Sequence, residues 1–150
     1  MDIRYEIFAG LPSGPLLDGL LSLHLQIFQG PARDHLLEEY QSNLSRNLLT
    51  ILALSGDTVA GYKMGYQRKK GHFYSWLGCV SPDFRRLGIG GRLMQLQHDY
   101  CRENGFHTIR THTRNQWRDM LVLNIRHGFD VVGTITTSGA HTTIVLEKRL

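Results

Sequence analysis

The sequence predicts a mixed α/β protein, one layered domain with elements in the order β-α-α-β-β-β-α-β-α-β-β. Strand-length apolar or alternating runs recur along the chain, separated by segments whose apolar residues fall at helical spacing. Some neighbouring runs are joined by tight polar turns, as in hairpins, whereas the run Phe73 to Val80 leads through a helix to another strand, as in a parallel crossover. The 150 residues, 41% hydrophobic and 20% charged, suffice for one sizeable core and argue against disorder.

Ile3 to Phe8 reads as the first strand. Pro15 to Phe28 reads as a helix, with Leu16, Leu20, Leu23 and Ile27 at helical spacing. Pro31 breaks the chain, and Asp34 to Leu44 forms a second helix with Leu36, Leu37, Tyr40 and Leu44. Leu48 to Leu54 and Val59 to Gln67 flank Ser55-Gly56-Asp57, a hairpin loop. Phe73 to Val80 is the fourth strand, stopped by the turn signal Ser81-Pro82-Asp83. A helix follows at about Ile89 to Asn104, then a strand at about His107 to Thr113. Trp117, Met120, Leu121 and Ile125 mark another helical segment. After Gly128, strands at about Phe129 to Thr136 and Thr142 to Glu147 are joined at Ser138-Gly139.

The most informative stretch is Val80 to Met94, where a strand, a basic glycine-rich turn and a helix N-terminus follow one another. The N–H groups of a first helical turn have no partner within the helix, and the helix dipole favours negative charge there. Gly88, Gly90 and Gly91 open the backbone to a ligand, and Arg85, Arg86 and Arg92 can add charge-assisted hydrogen bonds. Together they read as a pyrophosphate cradle. A nucleoside-triphosphate loop would need Lys and Ser or Thr where Arg92-Leu93 stand. A dinucleotide fingerprint counted from Gly88 would need its third glycine where Leu93 stands.

What does fit is Arg-x-x-Gly-x-Gly, filled by Arg85, Gly88 and Gly90, with Asn115 and the pair Gly128-Phe129 downstream. This pattern resembles the GNAT superfamily of N-acetyltransferases, and the resemblance covers essentially the whole chain. It implies a central mixed sheet of about seven strands flanked by helices, with acetyl-CoA as co-substrate and an amine as acceptor. It implies that the fourth and fifth strands splay around the acyl-pantetheine. By the same resemblance the backbone of Cys79 and Val80 holds the pantetheine, and Arg85, Arg86, Gly88, Ile89, Gly90, Gly91, Arg92 and Asn115 complete the cofactor site. Many relatives place a Tyr, the proton donor to the leaving thiolate, four residues before the helix-ending Gly. Here that residue is Asn124, which can hydrogen-bond sulfur but is no acid.

The strand His107 to Thr113 carries Arg110, His112 and three threonines where a strand covered on both faces should be apolar. Alternation puts Thr108, Arg110 and His112 on one face, which reads as lining a wet cavity. His112 is the first candidate for the general base, because imidazole titrates near working pH, with His72 and His24 behind it. Arg110 is a candidate to meet the acceptor. On the fourth strand, alternation sets His72, Tyr74, Trp76 and Gly78 against Phe73, Ser75, Leu77 and Cys79, and Gly78 suggests a bulge or a close ligand approach. Tyr74, Trp76, Phe28 and His24 are candidates to enclose a compact acceptor.

Other classes fare worse. The net charge of +4 hints at nucleic acid, but the arginines at the glycine turn are explained by a polyphosphate, and Arg68-Lys69-Lys70 reads as a solvated turn. No apolar run reaches membrane-spanning length and the N-terminus has no signal-peptide pattern, so a cytoplasmic protein is expected. The two cysteines read as reduced buried thiols. The eight histidines form no metal-ligand pattern, so no metal is expected. Three functional readings stay open: acetyl transfer to a small amine, transfer to a protein N-terminus or lysine, and an acyl-CoA-binding sensor with reduced catalysis. Homodimers are frequent in the family, and the last hairpin (Thr134 to Leu146) offers an edge for one.

Overall fold

A computed structural model describes residues 2–136 and 141–150 of the chain. The expected turn at Ser138-Gly139 lies outside the described residues. Seven strands, β1 (Arg4–Ala9), β2 (Leu49–Ser55), β3 (Thr58–Lys69), β4 (His72–Val80), β5 (Thr108–Arg114), β6 (Asp130–Thr136) and β7 (Thr142–Arg149), form one sheet. Their spatial order is β1-β2-β3-β4-β5-β7-β6. β4 and β5 run parallel, and every other described pair of neighbours is antiparallel. Helices α1 (Gly14–Ile27) and α2 (Arg33–Ser42) cover one face, and α3 (Ile89–Glu103) and α4 (Arg118–Arg126) serve the other. The element order and the mixed, helix-flanked sheet are those expected, with most boundaries within two residues.

Two apolar layers hold the sheet. Leu20, Leu21, Leu23, Leu36 and Tyr40 of α1 and α2 pack on Leu52, Leu54, Tyr62 and Met64. On the opposite face, Ile89, Leu93, Met94 and Cys101 of α3 pack on Leu49, Ile51, Ala53, Phe73 and Ile109. β2 supplies both layers from alternate positions, which is why its sequence is apolar nearly throughout. Cys79 and Cys101 are buried free thiols in different layers. No helix among the described residues is long and apolar enough to cross a membrane.

The feature that positions the site is where two strands part. β4 and β5 pair only from His72–Thr108 to Ser75–Thr111, and the Thr111 hydroxyl closes the ladder with a 2.9 Å hydrogen bond to the Ser75 carbonyl. Beyond that point β4 follows β3 as far as Val80–Gly61, while β5 follows β7 as far as Arg114–Thr143. At the same place the β3–β4 register slips, Met64 facing Leu77 and Gly65 facing Ser75, so Trp76 is a bulged residue. The bulge therefore falls at Trp76 and not at Gly78, which pairs in register with Lys63. It also resets the expected alternation: Phe73 belongs to the α3 layer and Cys79 to the α1/α2 layer. Gly78 permits a close approach instead, since a Cβ there would lie 3.1 Å from the Tyr62 carbonyl oxygen.

The polar make-up of β5 also has a structural account. Arg110 forms a cross-strand ion pair with Glu147 of β7, and Thr111 bonds the β4 backbone.

A Cβ at Gly65 would sit 2.3 Å from the fully buried Phe73 ring and 2.6 Å from the Tyr74 carbonyl oxygen. Gly65→Ala is expected to cost about 1–3 kcal/mol by overpacking, read as a lower urea midpoint at unchanged m. A second expectation concerns acid. His98 on α3 is buried against Phe129, and burial, then Lys148, Lys63, Arg102 and His127, push its pKa down to about 3. The unfolded chain takes this proton near pH ~6.5 and the folded protein does not, so stability present above that pH is lost as pH falls toward 3. His98→Gln should flatten the loss, by up to about 1.4 kcal/mol per pH unit, in urea titrations between pH 7 and pH 5.

Candidate active site

The loop from β4 to α3 is built to present backbone amides. Ser81 N–H donates to the Ala60 carbonyl at 2.8 Å, anchoring the loop on β3, and Pro82–Phe84 make one 3-10 turn. Arg86 (φ 65°) and Gly88 (φ 77°) then take left-handed conformations two residues apart, a winding of the kind that turns amide N–H groups to one side. Such a φ is uncommon for a residue with a Cβ, and Arg86 holds it at the mouth of a cleft. Gly88 caps α3 with no side-chain hydrogen bond, and the first turn has no acidic residue. The N–H groups of Ile89, Gly90 and Gly91 therefore face outward with the positive helix end uncompensated.

The parted strands and this loop enclose a cleft of about 1170 Å³. Five arginines line it: Arg85 and Arg86 from the loop, Arg114 from the end of β5, and Arg118 and Arg126 from α4. Asp119 is the single carboxylate in the lining, and none of the five arginines is in an ion pair among the described residues. Uncompensated guanidinium groups beside free helix amides make a site for a polyanion. The lining also carries aromatic rings: Trp117 meets Phe28 edge to face at 5.5 Å, and Trp76 is a third. No group of three or more His, Cys, Asp or Glu side chains among the described residues could hold a metal.

Of the residues singled out from sequence, Cys79, Val80, Arg85, Arg86, Gly88, Ile89, Gly90, Gly91, Trp76, Phe28 and His112 come together in the lining. His112 projects from β5 edge-on to Tyr74 at 5.2 Å, and burial, then Arg110 and Arg68, lower its pKa, keeping it neutral at pH 7.

The others are placed elsewhere. Arg110 gives two N–H donors to Glu147, at 2.8 and 2.7 Å, and does not line the cleft. Asn124, 2% exposed, also lies outside the lining; its carbonyl accepts the N–H of Phe129 at 3.0 Å and ties α4 to β6. His24 is a core residue, its Nδ1 2.5 Å from the Tyr62 hydroxyl and its pKa lowered by burial. Tyr74 is packed between Tyr66 and His112, and burial pushes its hydroxyl up to about 12. Arg92 lies over the Tyr5 ring, and Asn115 is exposed in the turn whose neighbours Arg114 and Gln116 face the cleft. His72 packs on His107 at the start of β4, before the strands part.

Sequence reasoning missed Arg114, Arg118, Arg126, Trp117 and Lys63, all in the lining. Two of these carry a readable signal. Arg118 opens a helix, where a cation opposes the dipole. Lys63 interrupts the buried stretch of β3 from Val59 to Gly65, and burial pushes its pKa down to about 8.

A sheet parted at its parallel pair, opening on an arginine-rich loop and a free helix N-terminus, defines an acyltransferase fold. The family model described as the acetyltransferase (GNAT) family matches residues 17–129. The chain belongs to that family and is an N-acetyltransferase of it. Among solved structures it is similar to Ard1 from Thermoplasma volcanium (16% identity, 97% of each chain, TM-score 0.78). It is also similar to the ribosomal-protein-S18-alanine N-acetyltransferase from Escherichia coli (17% identity, 97% of this chain and 94% of that one, TM-score 0.76). A third is a GNAT family acetyltransferase from Elizabethkingia anophelis with acetyl-CoA bound (19% identity, 99% and 98% of the chains, TM-score 0.72). No curated protein matches the chain.

Proposed function

We propose that the protein moves an acetyl group from acetyl-CoA to the primary amine of a small molecule, by direct attack of the amine on the thioester. The observation that carries this reading is the cleft itself: the gap between β4 and β5 runs straight into a loop with free amides and unpaired arginines. Arg85, Arg86 and the amides of Gly88 to Gly91 would hold the pyrophosphate, with Arg114, Arg118 and Arg126 meeting further phosphate charge. Gly90 also lets the start of α3 pack closely, for a Cβ there would lie 3.3 Å from the Leu123 side chain and 3.8 Å from that of Val80, so a larger residue would displace the turn assigned to the pyrophosphate. Backbone N–H groups near Cys79 and Val80 would bind the pantetheine and steady charge on the thioester oxygen.

A primary amine with a pKa near ~10 is mostly protonated at neutral pH, so a base is useful. His112 fits that role, being neutral at pH 7 and in the cleft lining. Phe28, Trp76 and Trp117 form the acceptor wall. The ring contact between Phe28 and Trp117 supports a compact acceptor over an extended polypeptide. Arg110 and Asn124 have no part in this reading, because neither reaches the cleft.

The 150 residues are read as one acetyltransferase domain acting in the cytoplasm, without nucleic acid. A homodimer through the outer strand β6 belongs to the same reading, supported by the exposed Val131, Val132 and Ile135. The first test is release of free thiol from acetyl-CoA with a panel of primary amines. Tight binding with no thiol from any amine would turn the assignment to an acyl-CoA sensor. Gly90→Leu should weaken acetyl-CoA binding at least about tenfold by calorimetry; unchanged affinity would sink the cradle assignment. His112→Ala should lower kcat by about 10²-fold while leaving the acetyl-CoA Kd within a factor of about two, and normal turnover would remove it as the base.

A further inference from the structure

We propose that Lys63 is the proton donor to the leaving CoA thiolate, reaching it from the floor of the cleft. This rests on the acetyl-transfer reading above and assigns the acid that reading lacks. Lys63 pairs in register with Gly78, and the missing side chain at Gly78 leaves room for its stem: a Cβ there would lie 3.5 Å from Lys63 Cγ. Lys63 lines both the cleft and a small recess beneath it, of about 20 Å³, shared with Cys79, Val80, Gly90, Met120 and Leu123. Those five residues belong to β4, to the N-terminus of α3 and to α4, which border the gap where the pantetheine would lie. The lysine thus stands on β3, opposite Gly78 and next to the β4 backbone assigned to the thioester.

Its electrostatic setting asks for an anion. Lys63 is 8% exposed, and no carboxylate among the described residues forms an ion pair with it. The titratable groups around it include Tyr62 on β3, Cys79 on β4, His98 on α3 and His127 after α4. Both histidines are held neutral, and burial pushes the Cys79 thiol up to about 12, so none supplies a negative charge at pH 7. An ammonium desolvated without a counter-ion is costly, and negative charge developing on sulfur in this cleft would relieve that cost.

Acidity selects Lys63 as well. A thiol such as that of Cys has an ordinary pKa near ~8.5, and Lys63 is lowered to about 8, so proton transfer between them is close to balanced. An ordinary lysine near ~10.4 would make the same transfer about 250-fold less favourable. The alternatives are poor: Asn124 has no acidic proton and lies outside the cleft, and the Cys79 thiol is too weak an acid. The step balances. The amine nitrogen bonds to the carbonyl carbon, the C–S bond breaks and its electron pair goes to sulfur. Lys63 gives sulfur a proton, forming the CoA thiol. The amine's proton leaves by way of His112 to solvent, and solvent returns one to Lys63.

The test compares wild type with Lys63→Met and Lys63→Arg in thiol release across pH 6 to 9.5, with acetyl-CoA affinity measured by calorimetry on each. Wild-type kcat should fall above a pH near ~8, as Lys63 loses its proton. Lys63→Met should lower kcat by about 10²-fold and abolish that descending limb, with the acetyl-CoA Kd within about twofold, which also shows that the variant is folded. Lys63→Arg keeps the charge but cannot give up its proton, and should remain as slow as Lys63→Met. Normal kcat and an unchanged limb in Lys63→Met would overturn the proposal. Full rescue by Lys63→Arg would also overturn it, leaving charge alone as the contribution. So would acetylated Lys63, found by mass spectrometry after incubating wild type with acetyl-CoA, because the lysine would then be a nucleophile. Failure of the acetyl-transfer reading has a different signature: wild type itself releases no thiol with any amine, which would remove both.

Discussion

Everything functional in this protein depends on a parallel strand pair that is not allowed to finish. β4 and β5 share a ladder for four residue pairs, and then each follows its own antiparallel neighbour. Two strands that diverge leave backbone amides and carbonyls without a partner, and buried groups of that kind need one. A ligand lying as an extra strand in the gap can meet the need. The bulge at Trp76 reinforces the divergence by bending β4 where the Ser75–Thr111 pair closes the ladder.

Charge is distributed to match. The ion pairs of the fold, such as Arg110 with Glu147, are spent on structure, while the five arginines around the cleft have no carboxylate partner among the described residues. Helix α3 adds its unpaired amides at the same mouth. The cleft is thus lined by unpaired positive charge together with the rings of Phe28, Trp76 and Trp117. In the proposed reaction the polyanionic donor would use this charge, with the neutral imidazole of His112 on β5 and the buried ammonium of Lys63 on β3 in the same lining.

Much of the fold was legible because it is local. Helical spacing in Leu16, Leu20 and Leu23, the turn at Ser55-Gly56-Asp57 and the glycines before α3 are each written in a few neighbouring residues. The loop that lines the cleft was legible for the same reason, since Arg85 to Gly91 are near neighbours in the chain. Residues judged by type and position along a strand fared less well. Arg110 and His24 look like site residues in a string, but one is neutralised by a carboxylate 37 positions away and the other is bonded to a tyrosine 38 positions away. Trp117 and Lys63 look like ordinary helix-flanking and strand residues until Phe28 and Gly78 are seen beside them.

The amino-acid sequence by itself determined the order of elements, the layered α/β class and the glycine-rich turn before α3, because apolar periodicity and glycine placement act over single helical turns and strand lengths. Tertiary structure decided which polar side chains are free to do chemistry. A side chain's availability and acidity depend on partners and burial set by distant segments. That is why the same chain yields a quenched Arg110, a core His24, an available His112 and a desolvated Lys63 at the floor of the cleft.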